Sequence, residues 1–263
     1  YDRCRARLQG VLPDQLEHFF LVNTDVGAPE IALAIARAVV AEQPGTSAIV
    51  ARCLVPRTLV DCNRVLSAEV SLETDGITSG LPSYIDHPAD VQFLLSLYRR
   101  YQNAMDQLYE QVCGAGGLGI MPHTYAPRSV GIDRIDADIV RLLHAAYAPE
   151  VLSTWPLRPE VDLIVDNADG ARLSPPGMAE ELILQYAALG LTAVAGGTYY
   201  LHPATMGCAR ATAYPGKTLC FEVRRDLVVD IFDPFTQMQA NAAAVDRVVA
   251  PLVAALLAAV RLR

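Results

Sequence analysis

Short apolar runs of strand length alternate with longer amphipathic segments along almost the whole chain, and that alternation limits the fold more than any other feature of the sequence. Residues 18–24 form an apolar, aromatic-rich run that predicts a first strand ending at Asp25. A helix follows over 28–41, with Pro29 and Glu30 in its first turn and Gly45 beyond its end. Residues 47–54 predict a second strand, and Leu59-Val60 begins a third extended piece. Over 88–113, Leu94, Leu97, Tyr98, Tyr101, Met105, Leu108 and Val112 recur at helical steps, and glycines at 114–119 close the helix. Strands are predicted at 118–122, 161–165, 191–195 and 218–223, and helices at 136–147, 178–189 and 237–262. No linker, charge block or repeat divides this order. It implies one domain over 1–263, a three-layer α/β/α sandwich around a mixed, mostly parallel central sheet. In such sheets ligands gather beyond the carboxyl ends of strands, so the polar residues that follow the apolar runs are the ones to weigh.

Composition narrows the function. A net charge of −8 disfavours binding to phosphate backbones or anionic membrane surfaces. Apolar residues at 52% and charged residues at 19% describe a globular chain. Six scattered cysteines without a C-x-x-C pair read as reduced thiols, and no basic, apolar and cleavable leader opens the sequence, so a cytoplasmic location is expected. The most apolar run, 248–260, contains Pro251 and is shorter than the ~20 residues a bilayer span needs, so it is expected to be a buried terminal helix.

The densest chemistry lies in Arg57-Thr-Leu-Val-Asp61-Cys-Asn63-Arg64, where two guanidiniums, a carboxylate and an amide follow a predicted strand. Such a set forms either a salt-bridged loop or an anion site. In the second case Arg provides a planar fork for a carboxylate, Asn a neutral donor, and Asp61 holds an Arg in place. Glu222 stands inside the apolar run Leu219-Cys-Phe-Glu222-Val, which would desolvate its carboxyl and raise its pKa. It reads either as an acid–base group or as a partner of Arg224 or Arg225.

Arg-x-x-x-Asp-x-Asn-Arg at 57–64 resembles the signature of the N-formylglutamate amidohydrolase family, a relative of the aspartoacylases and zinc carboxypeptidases. Glu222-Val-Arg224-Arg225-Asp226-Leu227 resembles that family's late E-x-x-R-x-L strand, and Met121-Pro-His123-Thr124 its D-x-H-S segment. Asn23-Thr-Asp25 before a helix and Gly197-Thr-Tyr199-Tyr200 agree in order with two further segments. The resemblance implies a zinc-exopeptidase-like fold and an amidohydrolase that uses one Zn2+ per chain to cleave a small N-acyl, even N-formyl, amino acid or related carboxylate. It implies His123 and Asp25 as metal ligands, Glu222 as general base and Arg57 at the scissile carbonyl. Asn63 and Arg64 would hold the substrate carboxylate, with Tyr199 and His202 lining the substrate site. The expected partner is thus a small-molecule carboxylate, with no nucleic acid and no membrane.

Two departures limit the match. The family's opening P-H-S-G segment, with a further expected ligand, has no counterpart after Tyr1, so it lies upstream or is lacking; and the carboxylate two residues before His123 is replaced by Met121. The alternative is a relative that binds a carboxylate without metal and without catalysis. Other residues carry less. His18, His87 and His144 are expected to pack or pair, Asp136 to cap a helix beside Asp133 and Asp138, and Asp166 to Asp169 to form a turn. Lys217, the only lysine, is expected to face solvent.

Overall fold

The computed structural model describes residues 1–66, 78–132 and 134–261. The chain runs α1 (Asp2–Arg5), α2 (Leu16–Asn23), α3 (Ala28–Glu42), α4 (Pro88–Tyr109), a closing π turn (Glu110–Gly114) and β1 (Gly119–Tyr125). It continues through α5 (Ile139–Ala146), α6 (Pro149–Leu152), β2 (Val161–Ile164), α7 (Met178–Ala188), β3 (Ala193–Ala195), α8 (Met206–Ala213), β4 (Thr218–Arg224) and α9 (Ala242–Arg261).

The four strands form one mixed sheet in the order β1-β4-β2-β3. The β1–β4 and β2–β3 pairs are parallel, whereas β2 and β4 are antiparallel. Strand alternation divides the side chains between two faces. Leu219, Phe221, Val223, Val161 and Leu163 pack with α3, α7 and α9 in the main core. Met121, Cys220 and Ile164 turn the other way, toward Cys208 and Ala211 of α8. A second core joins Leu16 and Phe19 of α2, Leu94 of α4 and Val140 and Leu143 of α5 around Leu59 and Val60.

The α/β class and the mixed, mostly parallel sheet agree with the sequence, but three predicted extended pieces do not form strands. Residues 18–24 lie largely in α2, because Leu16 and Phe19 bury one side of a helix against α5, and a short apolar run does not discriminate the two periods. Residues 47–54 run without a strand partner. Leu59 and Val60 belong to a turn in which both N–H groups donate to Pro56 O, at 2.9 and 3.1 Å. Helix α8 is absent from the sequence reading although Thr205 marks its start, accepting from Cys208 N at 3.2 Å.

Helix α9 runs unbroken through Pro251 for 20 residues, which corrects the expected short run. That length and hydropathy suffice to cross a membrane, but Val245, Val248, Leu252 and Leu256 are buried in the main core. Lys217 is half-buried rather than solvent-facing and donates to Cys113 O at 2.8 Å, closing the π turn. All six cysteines are free thiols.

Candidate active site

His123 on β1, Glu222 on β4 and Asp162 on β2 occupy one cross-strand row, since His123 pairs with Glu222 and Glu222 with Asp162. Paired residues leave a sheet on the same side, so three ionisable groups emerge together on the α8 face. Because β2 is antiparallel to β4, the row lies near the carboxyl ends of β1 and β4 and near the amino end of β2. Asp166 and Asn167, which follow β2, therefore lie at the opposite end. There Asp166 pairs with Arg172 at 2.8 Å and Asn167 Oδ1 accepts from Asp169 N and Ala171 N, forming the expected turn.

Asp25 approaches this row from the loop between α2 and α3. Gly27 allows the tight turn, with φ of 94°, and leaves no room for a Cβ, which would meet Val228 Cγ2 at 2.7 Å. Thr124 Oγ1 donates to Val26 O at 2.8 Å and fastens the loop to β1. Asp25 Oδ2 then lies 2.8 Å from His123 Nδ1. Burial alone would raise the Asp25 pKa, but His123, Arg57 and Arg225 more than offset it and hold the carboxyl below its ordinary value. Burial disfavours charge on His123 too, yet Asp25 and Glu222 raise its pKa overall.

The 57–64 loop supplies the cations. Arg57 Nε donates to Asp61 Oδ2 at 2.8 Å while its Nη1 lies 3.7 Å from Asp25 Oδ1, so one guanidinium links two carboxylates. Asp61 Oδ1 accepts from Asn63 N at 2.8 Å, and Arg64 Nη1 lies 3.5 Å from Asp61 Oδ2. Burial pushes the Asp61 pKa upward, but Arg57, Arg64 and the Asn63 N–H together keep it below the usual carboxylate range. The backbone of the loop is held from several directions. Gln102 donates to Cys62 O at 2.7 Å, Tyr98 to Arg64 O at 2.8 Å and Tyr84 to Thr58 O at 2.5 Å. Asp61 N donates to Gly80 O at 2.7 Å and Met206 N to Asn63 O at 3.1 Å. This is more support than a solvated surface loop needs.

Glu222 is the least compensated member. Its Oε2 is buried without a hydrogen-bond partner, and burial, reinforced by Asp25, raises its pKa to about 7 against the pull of His123, Arg57 and Arg158. A carboxyl that titrates near neutrality can both take and return a proton.

Asp25, Arg57, Asn63 and His123 all line a cavity of about 800 Å3. Tyr199 is exposed, 41% accessible, and its hydroxyl accepts from Arg158 Nη2 at 3.0 Å. His202 is buried, with Nδ1 accepting from Ala204 N at 3.0 Å, and it does not line the cavity, so its ring serves its own turn. Of the remaining histidines, His18 Nδ1 and His144 Nε2 are 2.9 Å apart beside Phe235, and His87 caps α4 near Asp90. Asp136 accepts from Asp138 N at 2.9 Å one turn ahead of α5, while Asp138 takes the cap position; Asp133 lies outside the described residues.

Two residues that position the site escaped the sequence reading. Asp162, fully buried, accepts from Gly197 N, Thr198 N and Tyr199 N at 2.8, 2.6 and 3.2 Å. Arg225, also buried, donates to Val22 O at 2.9 Å and Thr124 O at 3.1 Å, tying α2 to β1 behind Asp25. The signal for Asp162 was present: it is a carboxylate within an apolar strand, as Glu222 is.

Asp25 and His123 are donor types that zinc accepts, and their facing atoms converge. A catalytic zinc takes three protein ligands, and among the described residues no third His, Cys, Asp or Glu completes such a group. The pair fits two ligand positions, not a whole centre.

Comparison with known protein families and with curated proteins finds no match. Among solved structures, N-formylglutamate amidohydrolase from Ralstonia eutropha JMP134 is similar with a TM-score of 0.58 and 15% identity, covering 96% of this chain and 90% of that one. A gene product of Agrobacterium tumefaciens gives a TM-score of 0.49 and 16% identity, over 91% of this chain and 79% of that one. The first likeness shows that the chain has the fold of that amidohydrolase, the family its 57–64 and 222–227 segments resemble.

Proposed function

We propose that the chain is an amidohydrolase that cleaves a small N-acyl amino acid or a related carboxylate-bearing amide. The observation that carries this reading is Glu222, a carboxyl with a buried, unpartnered oxygen and a pKa near 7, set beside the Asp25–His123 pair and the Arg57–Arg64 loop. The shared fold adds support.

In this reading Asn63 and Arg64 hold the substrate carboxylate, so the amide enters the cavity in one orientation. Arg57 is anchored on Asp61 through Nε, and its Nη2 has no partner among the described residues, leaving that edge for the oxygen of the scissile amide. Negative charge grows on this oxygen as the tetrahedral state forms, and a fixed cation stabilises it more than it stabilises the ground state. Glu222 takes the proton of the attacking water and returns it to the leaving nitrogen, which its pKa permits at neutral pH. Zinc, held in part by Asp25 and His123, supplies Lewis acidity and lowers the pKa of water toward ~7.

The test is a panel of N-formyl, N-acetyl and longer N-acyl amino acids assayed with and without added zinc, beside Glu222→Gln and a zinc titration of the Asp25→Ala variant. Turnover that falls by about 10²-fold or more in Glu222→Gln with KM held supports the reading. Carboxylate binding without turnover under every condition overturns it and favours the non-catalytic relative.

A further inference from the structure

The apolar part of the 800 Å3 cavity separates two stretches of extended backbone that have nothing to pair with. One border is β1, which stands at the edge of the sheet. Gly119 N bonds inward to Lys217 O at 2.8 Å, so by alternation Ile120, Pro122 and Thr124 turn their backbone groups outward. The other border is residues 46–55, all of which line the cavity. From 47 to 55 this border makes no backbone-to-backbone hydrogen bond among the described residues. It also exposes Ile49 at 50% and Leu54 at 78%, although its composition is that of a strand.

Helices close the two remaining sides. Ala32, Ile35 and Val39 of α3 lie on the side of Ile120, while Tyr101, Met105 and Tyr109 of α4 lie on that of Met121. Apolar helical walls above and below, with unpaired backbone on both flanks, describe the surroundings of an interior strand. The size agrees. A strand residue in a packed sheet occupies roughly 4.8 × 10 × 3.3 Å, about 160 Å3, so the cavity holds about five residues. Unpaired backbone beside an apolar space is costly, and pairing it removes that cost.

We propose that this slot receives an extended segment of the protein's own polypeptide, which joins β1 to residues 46–55 and widens the sheet by two strands. The occupant is the segment leading into Tyr1, because Tyr1 itself lines the slot and its ring stacks on Phe20 at 4.8 Å, placing the point of entrance at the cavity wall. Pro122 lacks one outward donor, so the firmer pairing is to residues 46–55, which contain no proline before Pro56.

Amide hydrogen exchange on three proteins tests this: the 263-residue chain, the chain with six alternating threonine and valine residues placed ahead of Tyr1, and the chain with that extension carrying proline at its second and fourth positions. Joining predicts that the amides of Ile49, Val50, Ala51, Arg52 and Ile120 exchange at least tenfold more slowly with the first extension and unchanged with the proline form. Equal exchange in all three proteins, or equal slowing by both extensions, overturns the proposal. Protection by the same six residues added as a free peptide, without protection when they are attached, also overturns it and assigns the slot to another chain.

Discussion

His123 stands directly opposite Glu222 across the parallel β1–β4 pair, so a raised histidine pKa and a raised carboxyl pKa share one face of the sheet. The consequence for stability follows from where each proton resides. Glu222 moves from 4.5 to about 7 on folding, so between these values the folded chain holds a proton that the unfolded chain releases. Stability from this group is therefore full below pH 4.5 and is lost as pH rises toward 7. His123, also raised, adds a loss of the same sign above its ordinary value of 6.5. In protein stripped of metal by a chelator, Glu222→Gln is expected to abolish most of the decline between pH 5 and 7. At pH 8 it should exceed the wild type by roughly 3 kcal/mol in urea denaturation. Parallel pH curves for the two proteins would show that Glu222 is not the buried acid.

Arg57 and Arg64 share Asp61 but are expected to separate kinetically. Arg64→Ala removes a grip on the substrate carboxylate and should raise KM about tenfold or more with kcat within a few-fold. Arg57→Ala removes a cation aimed at the reacting oxygen and should lower kcat by roughly 10²-fold. Steady-state kinetics on the best substrate of the panel decides. The opposite split would exchange the two roles.

Asp162 shares the row with Glu222 but acts on the 197–199 turn, where three N–H groups converge on its carboxylate. Hydrogen bonds to a charged acceptor are worth ~1.5–3 kcal/mol each and are not additive here, so Asp162→Ala is expected to cost about 2–4 kcal/mol. Because Tyr199 rides on this turn, KM should rise more than kcat falls. Asp162→Asn, which retains one acceptor oxygen, should recover part of both losses in denaturation and kinetic measurements.

The outline of this site was legible because its residues are chemically conspicuous: Arg57, Asp61, Asn63 and Arg64 are packed into eight positions, and Glu222 interrupts an apolar run. The structure brings these together with Asp25 and His123, while it turns His202 into its own loop. The fold was legible where a strand has a partner. Residues 161–164 and 218–224 pair across β2 and β4, as their β-branched and aromatic content suggests. Residues 47–54 have the same content and no partner, so composition alone could not make them a strand. Residues 18–24 failed for a different reason: an eight-residue apolar helix buried on α5 contains too few turns to show its period. Arg225 was hidden because its role depends on carbonyls of Val22 and Thr124, far away in sequence.

Gly80 tests whether the anion loop is held in shape from outside. A Cβ there would sit 2.8 Å from Arg64 Cβ, 2.5 Å from Leu66 Cδ2 and 3.4 Å from Asp61 O, so the hydrogen at this position is what lets the two backbones meet. The φ of Gly80 is not in the left-handed region, so alanine is excluded by space and not by backbone conformation. Gly80→Ala must therefore displace either the 64–66 stretch or its own, at an overpacking cost of about 1–3 kcal/mol. If the stretch carrying Arg64 yields, KM should rise in the same direction as in Arg64→Ala, with kcat and the pH dependence assigned to Glu222 unchanged. If the Gly80 side yields, the bond from Asp61 N to Gly80 O, 2.7 Å in length, lengthens, and faster exchange of the Asp61 amide would report it. A variant with wild-type stability, KM and Asp61 exchange would mean that the loop keeps its shape without this contact, and that Arg57, Asp61 and Arg64 order one another alone.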